Sequence, residues 1–179
     1  MATTTERPTV EQIWAWLGDV PDPEIPMVSV VDLGIVREIE WREGEGGAHC
    51  LVTITPTYSG CPATEVIAQS IEEALRARGV SVRLQNRISP AWTTDWISEA
   101  GRTKLRASGI APPAARAAGD VAVIDISGLK RKGQRGPAVV CPHCGSENTS
   151  VTSQFGSTAC KALYRCNDCL DPFDYFKPH

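Results

Sequence analysis

The chain has 179 residues, with 42% hydrophobic and 22% charged residues and a formal net charge of -3. That length suits one domain with an appendage or two small domains, and a chain of this composition can bury a sizeable core, so disorder is not the default. The weak negative charge gives no bulk pull toward nucleic acid or an anionic membrane, and the seven cysteines, two in the first 140 residues and five in the last 39, exclude a disulfide scaffold spread evenly through the chain.

Met1 to Glu11 has no basic head leading into an apolar core, and no apolar run approaches the roughly 20 residues of a membrane helix. A cytoplasmic, reducing compartment without membrane association is the expectation, and clustered cysteines there read as metal ligands before disulfides. Thr9, with Gln12 three residues on, signals a helix start with a capping box. Ile13, Trp14 and Leu17 would form its inner stripe, with Trp16 at the side. Asp22-Pro23-Glu24-Ile25-Pro26 stops that helix, because each proline lacks an N–H and restricts its predecessor. Ile35–Trp41 and His49–Thr55 read as strands joined through the Gly44, Gly46 and Gly47 cluster as a hairpin. Cys50 falls in the second strand and reads as a core residue.

Ala63–Arg78 is expected to be a helix, with Val66, Ile67, Ile71, Ala74 and Leu75 at helical spacing. Gly79 ends it and Val80–Leu84 resumes as a strand. Thr94–Ala107 is expected to be a further helix carrying Trp96, Ile97 and Leu105. Ile110–Ala118 reads as a linker or arm, Val121–Ile126 as a strand, and Lys130, Arg131, Lys132 and Arg135 as a basic, solvated hinge. From residue 128 onward there are seven basic and four acidic residues, against 11 and 17 before it, so an acidic front precedes a basic tail.

In the tail, Cys141-Pro142-His143-Cys144 and Cys166-Asn167-Asp168-Cys169 are two Cys-x2-Cys knuckles. Four thiolates at tetrahedral positions suit structural zinc, with a single iron or iron–sulfur site as the competing reading. A redox dithiol fits less well because both knuckles occur together. Metal binding would supply folding energy that a 40-residue apolar core cannot. Cys160 is left open between buried filler, a thiol activated by Lys161, and an alternative ligand. His143 reads as loop support, and Phe173, Tyr175 and Phe176 as cover for the site.

In the front half, Thr55-Pro56-Thr57-Tyr58-Ser59-Gly60-Cys61-Pro62 joins a strand to the long helix. Cys61 is expected at or just before the helix N-terminus, where free N–H groups and the helix dipole favour a thiolate. Pro62 would suit the first turn. Asp22, Glu24 and Asp32 are candidates for a second wall of the Cys61 site, or are turn makers. His49 is the nearest histidine in sequence, and a Cys/His catalytic pair has little support. No Gly-rich phosphate loop, catalytic carboxylate pair or His-rich metal centre is present, which weighs against an autonomous oxygenase or a nucleotide-driven enzyme.

Asp22-Pro23-Glu24-Ile25-Pro26, Asp32-Leu33-Gly34, Thr55-Pro56-Thr57 and Gly60-Cys61-Pro62 together resemble the MIP18 (DUF59) family of iron–sulfur assembly proteins. Ser89-Pro90-Ala91-Trp92-Thr93-Thr94-Asp95-Trp96 and the tail, including Phe155-Gly156-Ser157-Thr158 and Cys160-Lys161, are similar to the D-subunit branch of phenylacetyl-CoA epoxidase systems. The resemblance implies an α+β fold: a small two-layer MIP18-like sheet-and-helix domain over 8–110, a linker with a strand over 111–135, and a zinc-ribbon domain over 136–179. It implies an accessory protein of aerobic phenylacetate breakdown, with catalysis by this chain itself left open. The partners implied are epoxidase components, above all the iron–sulfur flavoprotein reductase. It places the family's cysteine on Cys61, the acidic loop residues on Asp22, Glu24 and Asp32, and the zinc ligands on Cys141, Cys144, Cys166 and Cys169. Cys61 would then be the cofactor-binding thiol, holding iron or a cluster transiently. One thiol holds a cluster poorly, so transfer would draw on a homodimer, Cys160 or client cysteines. A noncatalytic structural component of the oxygenase complex is the alternative reading.

Overall fold

The computed structural model describes residues 7–44, 47–58, 60–113 and 139–178. They fall into two units: residues up to Trp92 together with Trp96–Gly101, and Thr93–Asp95 together with Arg102 onward. The expected strand Val121–Ile126, the basic hinge Lys130 to Arg135 and most of the expected linker lie outside the described residues.

The first unit opens with α1 (Val10–Leu17), and its capping box is formed. The Gln12 N–H donates to Thr9 Oγ1 at 3.2 Å, and the Thr9 N–H donates to Gln12 Oε1 at 2.9 Å. Ile13 and Leu17 are fully buried, whereas Trp14 and Trp16 are half-buried. β1 (Val36–Arg42) and β2 (His49–Ile54) form the expected antiparallel hairpin. α2 (Thr64–Arg76) then crosses over to β3 (Val82–Asn86), which pairs parallel to β2, so β2 is central in a three-stranded sheet. A parallel neighbour requires such a crossover, and a helix supplies it with a buried face.

That face is Ile67, Ile71 and Leu75, each almost inaccessible. Each such side chain contributes about 1.5–3 kcal/mol on burial. Val66, expected on the inner stripe, is 47% exposed instead. The i, i+4 row of 67, 71 and 75 fills the contact, and a residue one position away turns about 100° toward solvent. Gly79 makes the exit turn at φ +76°, a conformation that favours glycine.

The expected helix Thr94–Ala107 is broken. A single 3-10 turn, Thr94–Trp96, is followed by a gap and then α3 (Glu99–Ala107). The Ser98 N–H donates to the Asp32 carbonyl at 2.8 Å rather than to a helical carbonyl. The Ser98 hydroxyl caps the new start by accepting from the Gly101 N–H at 2.9 Å. The division between the two units falls within α3.

In the second unit, β4 (Ile110–Ala111) pairs parallel to β7 (Pro172–Phe176). β7 pairs antiparallel to β6 (Lys161–Cys166), and β6 to β5 (Thr149–Ser153). The order is β4-β7-β6-β5. The expected front-domain limit at residue 110 thus falls on a strand of this second sheet. Between Val151 and Ser153 the β5–β6 register slips, so Thr152 is an extra residue. The core is small and aromatic: Tyr164, Phe173 and Tyr175 pack with Cys141, Cys166 and Val139. The Tyr164 ring lies 5.3 Å from Tyr175 in an edge-on pair and 5.9 Å from Phe173. Of the aromatics expected to cover the cysteines, Phe173 and Tyr175 form one cluster with two of them, whereas Phe176 is buried outside it.

Candidate functional site

The two knuckles are built alike. In the first, the Gly145 N–H donates to the Cys141 carbonyl at 2.9 Å, and the Cys141 N–H to the Ser146 carbonyl at 2.8 Å. In the second, the Cys166 N–H donates to the Asp171 carbonyl at 3.0 Å, and the Cys169 N–H points at Cys166 Sγ at 3.5 Å. The residue after each second cysteine is left-handed: Gly145 at φ +77° and Leu170 at φ +68°. Leucine is rare in that conformation, so the second knuckle carries strain that the first avoids.

The four sulfurs lie within 4.8 Å of one another. Cys141 and Cys169 sulfurs are 3.8 Å apart, and Cys144 and Cys166 sulfurs 3.6 Å apart. A tetrahedral zinc with thiolates at its usual bond length spaces them by about 3.8 Å. The donor set and spacing therefore fit zinc. Cys141 and Cys166 are buried, Cys169 is half-buried and Cys144 is exposed. Of the clustered thiols, Cys166 is pulled down to about 6, first by the Cys169 N–H and then, against the cost of burial, by the Asp168 N–H, while Cys144 and Cys169 are pushed up. Thiolate is the form a metal takes.

Polar side chains tie one knuckle to the other. The Ser146 hydroxyl and the Asn148 amide both donate to the Asp168 carboxylate, the latter at 2.8 Å. Those bonds, Ser146 first, hold the Asp168 carboxyl below its ordinary range. The Asn167 amide donates to Asn148 Oδ1 at 3.1 Å. None of these partners stands out in sequence beyond its place near a knuckle.

Cys160 is buried and lies outside the four-sulfur group. Its sulfur is 3.0 Å from Thr158 Oγ1. The neighbouring Lys161 Nζ is 3.2 Å from Asp174 Oδ2, with its side chain only 7% exposed. Asp174 also accepts from the Ser157 hydroxyl at 3.1 Å.

Cys61 is half-buried and sits two residues before Ala63, the N-cap of α2. Pro62 thus precedes the cap instead of opening the first turn, because Cys61 and Pro62 belong to a separate turn. In that turn the Cys61 N–H donates to the Tyr58 carbonyl at 3.1 Å, and the Cys61 carbonyl accepts from the Thr64 N–H and hydroxyl at 3.2 and 2.9 Å. Thr55 and Thr57 on the approach are buried, and among the described residues no partner lies within reach of the Thr55 hydroxyl. His49 heads β2, at the opposite end from this loop and about 17 Å away along the strand.

The acidic residues shape their own loops. Asp22 Oδ1 accepts from the Glu24 and Ile25 N–H groups, both at 2.9 Å. Asp32 Oδ2 accepts from the Ser29 N–H at 3.0 Å, and Ser29 Oγ accepts from the Asp32 N–H at 3.0 Å. Asp32 Oδ1 accepts from the Ser98 hydroxyl at 3.3 Å. Glu24 is half-buried. Among the described residues, the tail cysteines are the group of three or more metal-competent side chains that converges on one point; Cys61 with Asp22, Glu24 and Asp32 forms no such group.

Residues 10–83 match the family described as iron-sulfur cluster assembly protein, and residues 127–177 match the PaaD zinc beta ribbon domain. A protein of Escherichia coli (strain K12), named as the D subunit of a 1,2-phenylacetyl-CoA epoxidase, is 46% identical over 175 residues, 97% of this chain and 96% of that protein. The chain belongs to this D-subunit family. Its front half is also 31% identical over 104 residues to the Fe-S protein maturation auxiliary factor YitW of Bacillus subtilis (strain 168), covering 56% of this chain and 96% of that protein. A solved DUF59 domain from Bacillus anthracis aligns with a TM-score of 0.47 at 24% identity, over 53% of this chain and 89% of that one. In this chain an α+β front that matches the iron-sulfur cluster assembly family precedes a four-cysteine ribbon, as the sequence pattern predicts. Among the described residues, no helix is long and apolar enough to cross a membrane.

Proposed function

We propose that this chain is an accessory maturation factor of a phenylacetyl-CoA epoxidase system, assisting iron–sulfur cluster assembly on the reductase component. The observation that carries the reading is the pairing, in one chain, of an iron–sulfur assembly module with a PaaD-type ribbon. The cluster or iron is cargo, not a resident group. Cys61, half-buried on a turn ahead of α2, offers one thiolate to that cargo, and further ligands come from client cysteines or a second copy of the chain. Asp22, Glu24 and Asp32 shape the loops ahead of β1 and, among the described residues, form no ligand group with Cys61. Cys141, Cys144, Cys166 and Cys169 would hold one structural zinc, which cross-links the two knuckles and leaves the ribbon as a client-docking module.

The test is Cys61→Ser, co-expressed with the reductase and purified without oxygen. The reductase should lose most of its cluster absorbance while its flavin content is retained. Full cluster occupancy and normal epoxidase activity would sink the transfer role. A second reading, a noncatalytic structural component of the oxygenase complex, draws on the relative's name, which makes it part of an epoxidase. Stable stoichiometric co-purification with the oxygenase, unaffected by Cys61→Ser, would favour it.

A further inference from the structure

The loop Ser29–Gly34 is held by a segment some 60 residues away in sequence. The Trp92 Nε1–H donates to the Leu33 carbonyl at 2.8 Å. The Ser98 N–H donates to the Asp32 carbonyl at 2.8 Å. The Ser98 hydroxyl donates to Asp32 Oδ1 at 3.3 Å while accepting from the Gly101 N–H at 2.9 Å. A single hydroxyl thereby links the loop carboxylate to the start of α3.

Two glycines make the close approach sterically open. A Cβ on Gly101 would stand 2.7 Å from the Asp32 carbonyl oxygen, a backbone atom that no rotamer change can move. A Cβ on Gly34 would stand 2.7 Å from Trp96 Cβ, and Gly34 is left-handed at φ +65°. The Arg37 guanidinium lies 3.5 Å from the centroid of the Trp96 ring and donates to the Gly34 carbonyl at 3.4 Å, closing the contact.

The held loop leads directly into the strand pair that feeds Cys61. The Thr55 N–H donates to the Ile35 carbonyl at 2.8 Å, and Val36 lies opposite Ile54. Thr57 to Cys61 therefore depart from a point fixed on one side by residues 35 and 36. All residues in this chain of contacts belong to the first unit.

We infer that Trp92 and Trp96–Gly101 form a brace that sets the conformation of the Cys61 loop, and that Asp32 is a positioning residue within it. The brace stands on its own contacts, and only its consequence for cluster transfer rests on the proposed function. Buried hydrogen bonds of this kind contribute about 1 kcal/mol each, so removing one shifts a local opening equilibrium by about five- to tenfold.

The experiment uses the full chain with Asp32→Ala, Asp32→Asn, Ser98→Ala and Trp92→Phe, with Gly101→Ala as the harsher variant. Amide hydrogen exchange at 29–36 and 57–61 and the alkylation rate of Cys61 at one pH are the readouts, with circular dichroism verifying the fold. Asp32→Ala, Ser98→Ala and Trp92→Phe should raise exchange in both segments by about five- to tenfold and change Cys61 alkylation in parallel. Asp32→Asn keeps an acceptor for the Ser29 N–H and should stay within about twofold of wild type. Loosening confined to 29–36, with 57–61 and Cys61 unmoved, overturns the brace. So does an Asp32→Asn protein as loose as Asp32→Ala. Loosening of both segments with cluster transfer to the reductase intact supports the brace and overturns the transfer role of Cys61.

Discussion

The two knuckles set up a matched test of backbone strain. Gly145 and Leu170 hold equivalent places, and both are left-handed. Among the described residues, nothing beyond its chain neighbours lies within 4 Å of where a Cβ on Gly145 would stand, so Gly145→Ala adds no clash and isolates the backbone cost. That cost is about 1–2 kcal/mol for an L-residue, offset by roughly 0.5–1 kcal/mol of glycine chain entropy, which leaves about 0.5–1 kcal/mol. Ordering the knuckle and closing it on metal form one equilibrium, so zinc retention should weaken by about two- to fivefold. Leu170→Gly runs the other way. Its side chain is 59% exposed and surrenders little packing. Relief of about 1–2 kcal/mol is offset by roughly 0.5–1 kcal/mol of glycine chain entropy, leaving a gain of about 0.5–1 kcal/mol. Zinc should then bind about two- to fivefold more tightly. Competition against a chromophoric chelator at fixed pH reads both variants, and the double variant should fall between them. Gly145→Ala within about twofold of wild type, or Leu170→Gly binding more weakly, would refute the reasoning.

Other outcomes follow from burial and pairing. Ile71→Ala should cost about 2–5 kcal/mol in chemical denaturation, whereas Val66→Ala should cost well under half of that; equal losses would mean that α2 presents a different face. Lys161→Ala leaves the Asp174 carboxylate without its ammonium and should destabilise the ribbon, toward the low end of about 3–5 kcal/mol because Asp174 is partly exposed, with Lys161→Ala/Asp174→Ala recovering part of the loss in thermal melts. Burial pushes the Cys50 thiol up from 9.0 to about 11. Below pH 9 both folded and unfolded chains keep it protonated. Between about 9 and 11 the unfolded chain loses the proton first, so wild-type stability should fall relative to Cys50→Ala over that window. A difference in melting temperature that stays constant from pH 8 to about 11 would contradict the assignment.

Much of the front unit was legible because its signals are local. The Thr9–Gln12 capping box, the glycine-joined hairpin and the Ile67, Ile71, Leu75 row all act within a few residues. The break at Ser98 was not legible, because its cause is a carbonyl on Asp32, 66 positions away. Val66 was misplaced because an apolar residue beside a helical stripe satisfies a loose period without facing the core. In the tail, the Cys-x2-Cys spacing alone located the metal-competent cluster, since that spacing is dictated by one ion's reach. Leu170 gave no warning of its left-handed backbone, a conformation that glycine or asparagine would have flagged. The role of Asp32 was only half visible: a turn maker could be read from Asp32-Leu33-Gly34, but the partner hydroxyl on Ser98 could not.

The register slip at Thr152 bears on self-association. Among the described residues β5 is an outer strand of the ribbon sheet, and Thr149 to Ser153 contains no charged residue that would repel a neighbouring chain's strand. An open row of backbone donors and acceptors invites pairing with another molecule. A five-residue strand with an extra residue near its end offers that row only in a short, twisted form. Deleting Thr152 would straighten the edge, and light scattering should then report concentration-dependent aggregation that a lysine at Ser150 suppresses.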